Sequence, residues 1–307
     1  MPRIVVGVDG STDADAALRW ALGEAWLRGA RLDAVLAWSP DDCPRGVLER
    51  ACAPGSYSVE GTALQVLQES VARARDPRRP VPVTERAVYT DAVEALISAA
   101  ADADLLAVGR QGSSRLHRYL VGSVTTACLH EARCPVVVVR ADGHQPGGDV
   151  PTEGSHHAGA PTGGGESPVV VGVDGSTGSL AALRWAAREA ALHGAPLHVV
   201  HAWLPVSGLG LTRHADTEHD AIERLVRLAL HHYVTEGLSD APEPMVDTRL
   251  ALGGSASTLL AAAVDARLLV LGSRGSGGFA GLVLGSTAHQ CVHHAHCPVA
   301  VIPDESA

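Results

Sequence analysis

The sequence predicts an α/β protein built as two tandem copies of a five-stranded, parallel, doubly wound sheet, and three observations carry that prediction. First, IVVGVDGSTDADAALRW at residues 4–20 recurs as VVVGVDGSTGSLAALRW at 169–185, an offset of 165. Later landmarks recur at an offset of 163: LLAVGRQG at 105–112 against LLVLGSRG at 268–275, Gly122-Ser123 against Gly285-Ser286, and Cys134-Pro135 against Cys297-Pro298. A repeat this long sets the architecture before any element is assigned. Second, short Val/Ile/Leu runs alternate with helical periods inside each copy, and unbroken apolar strands separated by helices mark a parallel sheet covered on both faces. Third, 307 residues suit two domains, each large enough for its own core.

The elements follow in order. Residues 3–8 form the first apolar run, and residues 13–28 the first helical period. There Leu18, Ala21, Leu22 and Ala25 share one face at i, i+3, i+4, i+7, while Arg19 and Glu24 fall elsewhere. Strands are predicted at 32–38, 83–89, 105–109 and 136–140, and helices at 59–74, 91–101 and 123–132. The second copy repeats the strands at 169–173, 197–203, 246–251, 268–272 and 299–302. Between the copies, residues 141–167 are rich in Gly, Pro, Ser and Thr and lack any apolar period. Such a segment cannot offset its ordering entropy, so it is expected to be a flexible linker with His144, His156 and His157 in solvent. The predicted domains are thus 1–140 and 168–307, joined by 141–167. Trp20, Trp38, Trp185 and Trp203 recur at matched positions and are expected in the core or on a cleft wall.

Composition excludes several function classes. The net charge of -10 argues against a dedicated binder of nucleic acid or anionic membrane. No charged and apolar leader opens the chain and no run of 18 apolar residues occurs, so the expected location is cytoplasmic. All 24 basic residues are arginine. That removes every chemistry needing a lysine amine: a Walker A lysine, a Schiff base, pyridoxal phosphate attachment, a kinase strand lysine. Six cysteines without a CxxC pair are too sparse for a disulfide scaffold and are expected as reduced thiols. The first copy carries a net -1 and the second -5, so the first is better supplied with cations for an anionic ligand.

Glycine loops carry the chemistry. Strand one ends in Gly7-Val8-Asp9-Gly10-Ser11, and its twin in Gly172-Val173-Asp174-Gly175-Ser176. Ser11 or Thr12 suits a helix N-cap, and Gly10 permits the tight turn into it. Asp9 and Asp174 then stand at the carboxyl end of a strand, where open α/β sheets bind ligands, although the same residues also simply favour the turn. Strand four leads into Gly109-Arg-Gln-Gly112, nine residues, and Gly122-Ser123; its twin is Gly272-Ser-Arg-Gly275, nine residues, and Gly285-Ser286. Glycines after a strand let backbone approach a ligand closely. The later Gly-Ser opens a helix whose first amides are unpaired and whose dipole is positive, an anion site that needs no lysine. GxxGx9G[ST] survives in both copies while the residues between have diverged from SSRLHRYLV to SGGFAGLVL.

The GVDGS start, the GxxGx9GS loop and the final CPVVVV or CPVAVI strand resemble the universal stress protein family, in its tandem, ATP-binding form. The resemblance covers both copies and leaves out only the linker. It implies a Rossmann-like, adenine nucleotide alpha hydrolase-like fold, ATP with magnesium as ligand, and a regulatory role in the stress response without catalysis. By position it implies that Asp9 and Asp174 contact the ribose and that backbone at Ala37 and Ala202 reads the adenine edge. Gly109 and Gly272 would lie beside the ribose. Gly112, Gly122, Ser123, Val124 and Thr125 would hold the phosphates in one copy, and Gly275, Gly285, Ser286 and Thr287 in the other, where Ala288 lacks the hydroxyl of Thr125. Copy one departs at Tyr89-Thr90-Asp91, where copy two has the more family-like Leu252-Gly253-Gly254, a change expected to reshape the pocket. The resemblance further implies that the last strands pair the two domains intramolecularly, which would protect apolar edges, and that the chain forms a homodimer.

Other signals have plainer explanations beside functional ones. His289, His293, His294 and His296 with Cys291 and Cys297 invite a metal reading, but copy one keeps its cysteines (Cys128, Cys134) and only one histidine, His130, so buried thiols and solvated histidines are expected. Arg115, His117 and Arg118 inside the long loop, and Arg110 and Arg274 beside the first glycine, would serve as phosphate clamps or as ordinary loop residues. Two alternatives to a nucleotide-dependent regulator stay open: a weak ATP hydrolase, for which no water-positioning base is evident, and a nucleotide-free interaction scaffold.

Overall fold

A computed structural model of the chain describes residues 1–40, 42–53, 58–112, 121–141, 167–204, 215–238 (backbone only for 215–220), 245–276 and 284–304. The first half runs β1 (Arg3–Gly7), α1 (Thr12–Arg28), β2 (Arg31–Trp38), α2 (Arg45–Ala51), α3 (Val59–Ala74), β3 (Val83–Tyr89), α4 (Ala92–Ala100), β4 (Leu105–Gly109), α5 (Ser123–Glu131) and β5 (Val136–Val139). The second runs β6 (Val169–Gly172), α6 (Thr177–His193), β7 (Leu197–Trp203), α7 (Ala215–Gly237), β8 (Val246–Leu252), α8 (Ser255–Ala262), β9 (Leu268–Gly272), α9 (Ser286–His294) and β10 (Val299–Ile302). Every predicted strand is present, with ends that move by a residue or so. The linker, apart from residues 141 and 167, lies outside the described residues.

The strands form one sheet in the order β3-β2-β1-β4-β5-β10-β9-β6-β7-β8. Each half is parallel and doubly wound, the outcome that the apolar runs and intervening helices dictate. The halves meet antiparallel at β5 and β10, with Val136 opposite Val301 and Val138 opposite Val299. β5 and β10 are buried along their whole length. Strand side chains alternate between two cores. Ile4, Val6, Leu32, Leu36 and Val137 face one layer with α1 and α3, joined by Val171 and Leu197 with α6. Val5, Leu106, Val136 and Val138 face the other with α4 and α5, continued by Leu269 and Val301 with α8 and α9. Trp20, Trp38 and Trp185 pack on the first of these layers.

Helix α1 buries a second face. Leu18, Ala21, Leu22 and Ala25 are buried as the period predicts, but Glu24, placed away from that face, is only 4% exposed. The second half covers it. Arg28 donates from Nε to Glu24 Oε2 at 3.3 Å and from Nη2 to Glu189 Oε1, while His193 Nε2 lies 2.7 Å from Glu24 Oε1. Glu189 and His193 are the repeat equivalents of Glu24 and Arg28, so α1 and α6 meet through a pseudo-symmetric charge cluster. Burial pushes the Glu189 carboxyl up to about 7, helped by the neighbouring Glu24 charge. Burial pushes Glu24 the same way, but His193 and Arg28 outweigh it and hold that carboxyl below its ordinary value.

Candidate functional site

Asp9, Ala37, Gly109, Gly112, Gly122, Ser123, Val124 and Thr125 line a single cleft at the carboxyl ends of β1, β2 and β4, facing the N-terminus of α5. Asp174, Ala202, Gly272, Gly275, Gly285, Ser286 and Thr287 line its counterpart at β6, β7, β9 and α9. The second cleft, about 570 Å³, is in the range of small-ligand pockets. The first is about 160 Å³ and is lined in addition by Asp42 and Pro44 of the loop after β2.

Local chemistry explains how the aspartates stand where they do. Gly10 and Gly175 adopt φ of 76° and 82°, a left-handed turn that a side chain would strain. The turn lets the amide of Ser11 donate to Asp9 Oδ1 at 2.9 Å and the amide of Ser176 to Asp174 Oδ1 at 3.0 Å. Asp174 Oδ2 accepts from the amide of Ser276 at 2.7 Å, which ties the loop after β9 to the end of β6. Burial pushes the Asp174 carboxyl up, but the Ser176 hydroxyl and the Ser276 and Ser176 amides outweigh burial, so the group sits below its ordinary value. The turn-forming role of these aspartates is thus realised, at the rim of a cleft.

The glycines divide into two kinds. A Cβ on Gly109 would stand 2.7 Å from the Ala14 amide nitrogen, one on Gly112 would stand 2.9 Å from Asp9 Oδ2, and one on Gly275 would stand 2.6 Å from Asp174 Oδ2. Backbone packing requires glycine at 109, while at 112 and 275 an added Cβ would displace the carboxylate of Asp9 or Asp174. Gly122 and Gly285 are different. They cap α5 and α9 with φ of -62° and -68°, which any residue adopts, and no side chain caps either helix. The nearest atoms to an added Cβ are 3.6 Å away at Gly122 and 3.4 Å at Gly285, ordinary contacts. Neither dihedral nor neighbour demands glycine, and an added Cβ would stand between the helix cap and the glycine loop, 3.6 Å from the Gly112 amide nitrogen in one copy and 3.8 Å from that of Gly275 in the other. The exposed Ser123 and Ser286 follow at once. Unpaired amides at a positive helix end, kept open by glycine, can hold an anion.

Several site expectations change. The Thr125 hydroxyl donates to the Gly109 carbonyl at 2.7 Å, so it ties α5 to β4 instead of facing an anion. Ala288 therefore lacks a structural tie, and only the backbone amide of Thr125 remains for a ligand. Arg110, weighed as a phosphate clamp, is buried and turns away, donating from Nη1 to the carbonyl of His293 in the other half at 3.4 Å. Arg274 lines the second cleft and donates to Asp304 Oδ2 at 3.2 Å. Tyr89, Thr90 and Asp91 do not line the first cleft. Asp91 instead caps α4, accepting from the amides of Val93 and Glu94. Arg115, His117 and Arg118 lie outside the described residues.

One organising residue was missed. Asp13, 8% exposed, accepts from the Gln111 amide at 3.0 Å and the Ala141 amide at 2.9 Å, and so fastens the glycine loop and the end of β5 to α1. An acid in a helix's first turn is the ordinary dipole-matched choice, so the sequence held no sign of this second task. The thiols of Cys128, Cys291 and Cys297 are buried and pushed by burial up to about 12, and that of Cys134 up to about 11. The His289 and His293 rings pack with centroids 4.5 Å apart, inclined 54° to each other. Among the described residues, three potential metal ligands converge at Glu24, Glu189 and His193, where Arg28 already supplies the cation.

Comparison with known proteins agrees with this architecture. The model of the universal stress protein family matches residues 1–140 and again 167–303. A universal stress protein of Mycobacterium tuberculosis is 31% identical over 305 residues, spanning 97% of this chain and 95% of its own. One from Mycolicibacterium smegmatis is 30% identical over 306 residues, spanning 97% and 96%. The crystal structure of a universal stress protein from Archaeoglobus fulgidus superposes with a TM-score of 0.63 at 18% identity, covering 98% of each chain, a likeness of fold. Among the described residues, no helix is long and apolar enough to cross a membrane.

Proposed function

The chain belongs to the universal stress protein family, and from that premise we propose that it is a regulatory adenine-nucleotide-binding protein with one ATP site in each of two domains, 1–140 and 168–307. The observation that carries this is the pair of glycine-capped helices, α5 and α9, whose first amides open into clefts shared with Asp9 and Asp174. Asp9 and Asp174 have the reach and charge to accept from ribose hydroxyls. Backbone at Ala37 and Ala202 lines the same clefts and would meet the base edge. The amides following Gly122 and Gly285, with the Ser123 and Ser286 hydroxyls, would donate to the phosphates. ATP, bound with its magnesium, would supply a compact polyanion that links loop, helix and strand ends into one unit.

The proposed role is regulatory: both aspartates are engaged in turn and loop contacts, and among the described residues the other acid lining the clefts is Asp42, in the loop after β2. The β5–β10 seam is proposed as the intramolecular pairing of the domains, and cytoplasmic homodimers of such chains as the assembly, checked by light scattering on the purified protein. The experiment for the site itself is Gly122→Val combined with Gly285→Val, followed by equilibrium dialysis with radiolabelled ATP. Loss of binding in a folded double variant is expected; undiminished binding would sink the phosphate assignment and favour a nucleotide-free scaffold.

A further inference from the structure

Arg110 joins the two clefts. Its backbone carbonyl accepts from the Gly122 amide at 2.9 Å, so it positions the cap of α5 in the first cleft. Its backbone amide donates to the carbonyl of Val139 at 2.8 Å, on the strand that pairs with β10. Its guanidinium crosses to the second half and donates to the carbonyl of His293, in the last turn of α9. The other end of α9 is the Gly285–Thr287 cap that lines the second cleft. A cation at a helix's C-terminal carbonyls matches the helix dipole. The repeat offers no reciprocal arm, because Ser273 stands at the position of Arg110 and its side chain is too short to cross.

We propose that Arg110 is a positioning residue that couples the two sites, so that a nucleotide in the first cleft raises affinity in the second. The inference rests on the nucleotide reading above. A ligand held by the Gly112 amide and by the amides that follow Gly122 fixes the loop to which Arg110 belongs, and Asp13 fastens the same loop through Gln111. The fixed guanidinium holds the last turn of α9, and a helix already ordered at one end costs less to order at the other. Affinities couple reciprocally, so ATP in the second cleft favours the first by the same factor.

Calorimetric titration of three folded proteins tests this. Gly122→Val leaves only the second site, Gly285→Val only the first, and the wild type has both. The wild-type isotherm is expected to exceed the sum of the two single-site isotherms in affinity, with a coupling factor of about five or more. In Arg110→Met that factor falls to about one while each site still binds. A second readout needs no change at Arg110 and stands if Arg110→Met does not fold. In Gly285→Val, ATP at the first site is expected to slow amide hydrogen exchange in the last turn of α9, residues 291–295. Additive isotherms, unaltered exchange in α9, or full coupling in Arg110→Met would each overturn the proposal. Absence of ATP binding to all three proteins would overturn the nucleotide reading itself, and the coupling with it.

Discussion

Glu189→Gln tests the seam between the halves through its pH dependence. Glu189 is 2% exposed, its Oε1 accepts from Arg28, and its Oε2 is buried without a hydrogen-bond partner. Burial pushes its pKa up to about 7 from an ordinary 4.5. The folded protein therefore binds more protons here than the unfolded chain between those values, and stability falls as pH rises through that window, levelling above about 7. At 1.36 kcal/mol per unit the loss amounts to about 3 kcal/mol. Glutamine keeps an acceptor for Arg28 and mimics the protonated acid at every pH. Urea unfolding followed by circular dichroism from pH 5 to pH 8 would measure both proteins. The difference between them cancels the titrating groups outside the seam and isolates Glu189 with the Glu24 carboxyl it faces. The variant is expected to match the wild type near pH 5 and to exceed it by up to about 3 kcal/mol at pH 8. A difference that stays flat, or turns against the variant as pH rises, would show that Glu189 is ionised in the folded seam and refute the reasoning.

Two further outcomes follow from the same geometry. Asp9→Ala removes a charged acceptor worth roughly tenfold in affinity from the first cleft and leaves the second site bound, with Asp174→Ala doing the converse; competition with a fluorescent ATP analogue would check it, and equal loss at both sites in either variant would contradict the assignment. With a disulfide-exchange reagent at pH 8, exposed Cys52 is expected to react first and half-buried Cys43 slowly, while Cys128, Cys134, Cys291 and Cys297 react only after unfolding, because burial holds their thiols protonated; fast release from more than two thiols of the native chain would contradict this.

What the sequence made legible follows from what is local. β1, β4, β6 and β9 are short, β-branched or leucine-rich runs with no competing period, and their burial on both faces is what such runs encode. The α1 and α6 starts were legible because Ser11 and Ser176 cap them in the ordinary way. α2 was not, since seven residues entered through Pro44 carry less than two full turns of pattern. The burial of Glu24, off the apolar face of α1, was not legible, because helical period speaks for one domain alone and the packing of α6 on α1 is what covers it. The cleft-lining residues were recognisable by position, but not the directions in which Thr125 and Arg110 spend their hydrogen bonds. Both choices depend on partners that tertiary contact brings near, the Gly109 carbonyl for one and α9 of the other half for the other.

The measurement that tests the central claim most directly is the number of ATP molecules bound per chain, by calorimetric titration of nucleotide-stripped wild-type protein with magnesium-ATP. Two glycine-capped helices opening into two clefts predict two. No heat and no bound nucleotide at saturating ATP would contradict the account and leave a double α/β scaffold whose clefts serve another purpose.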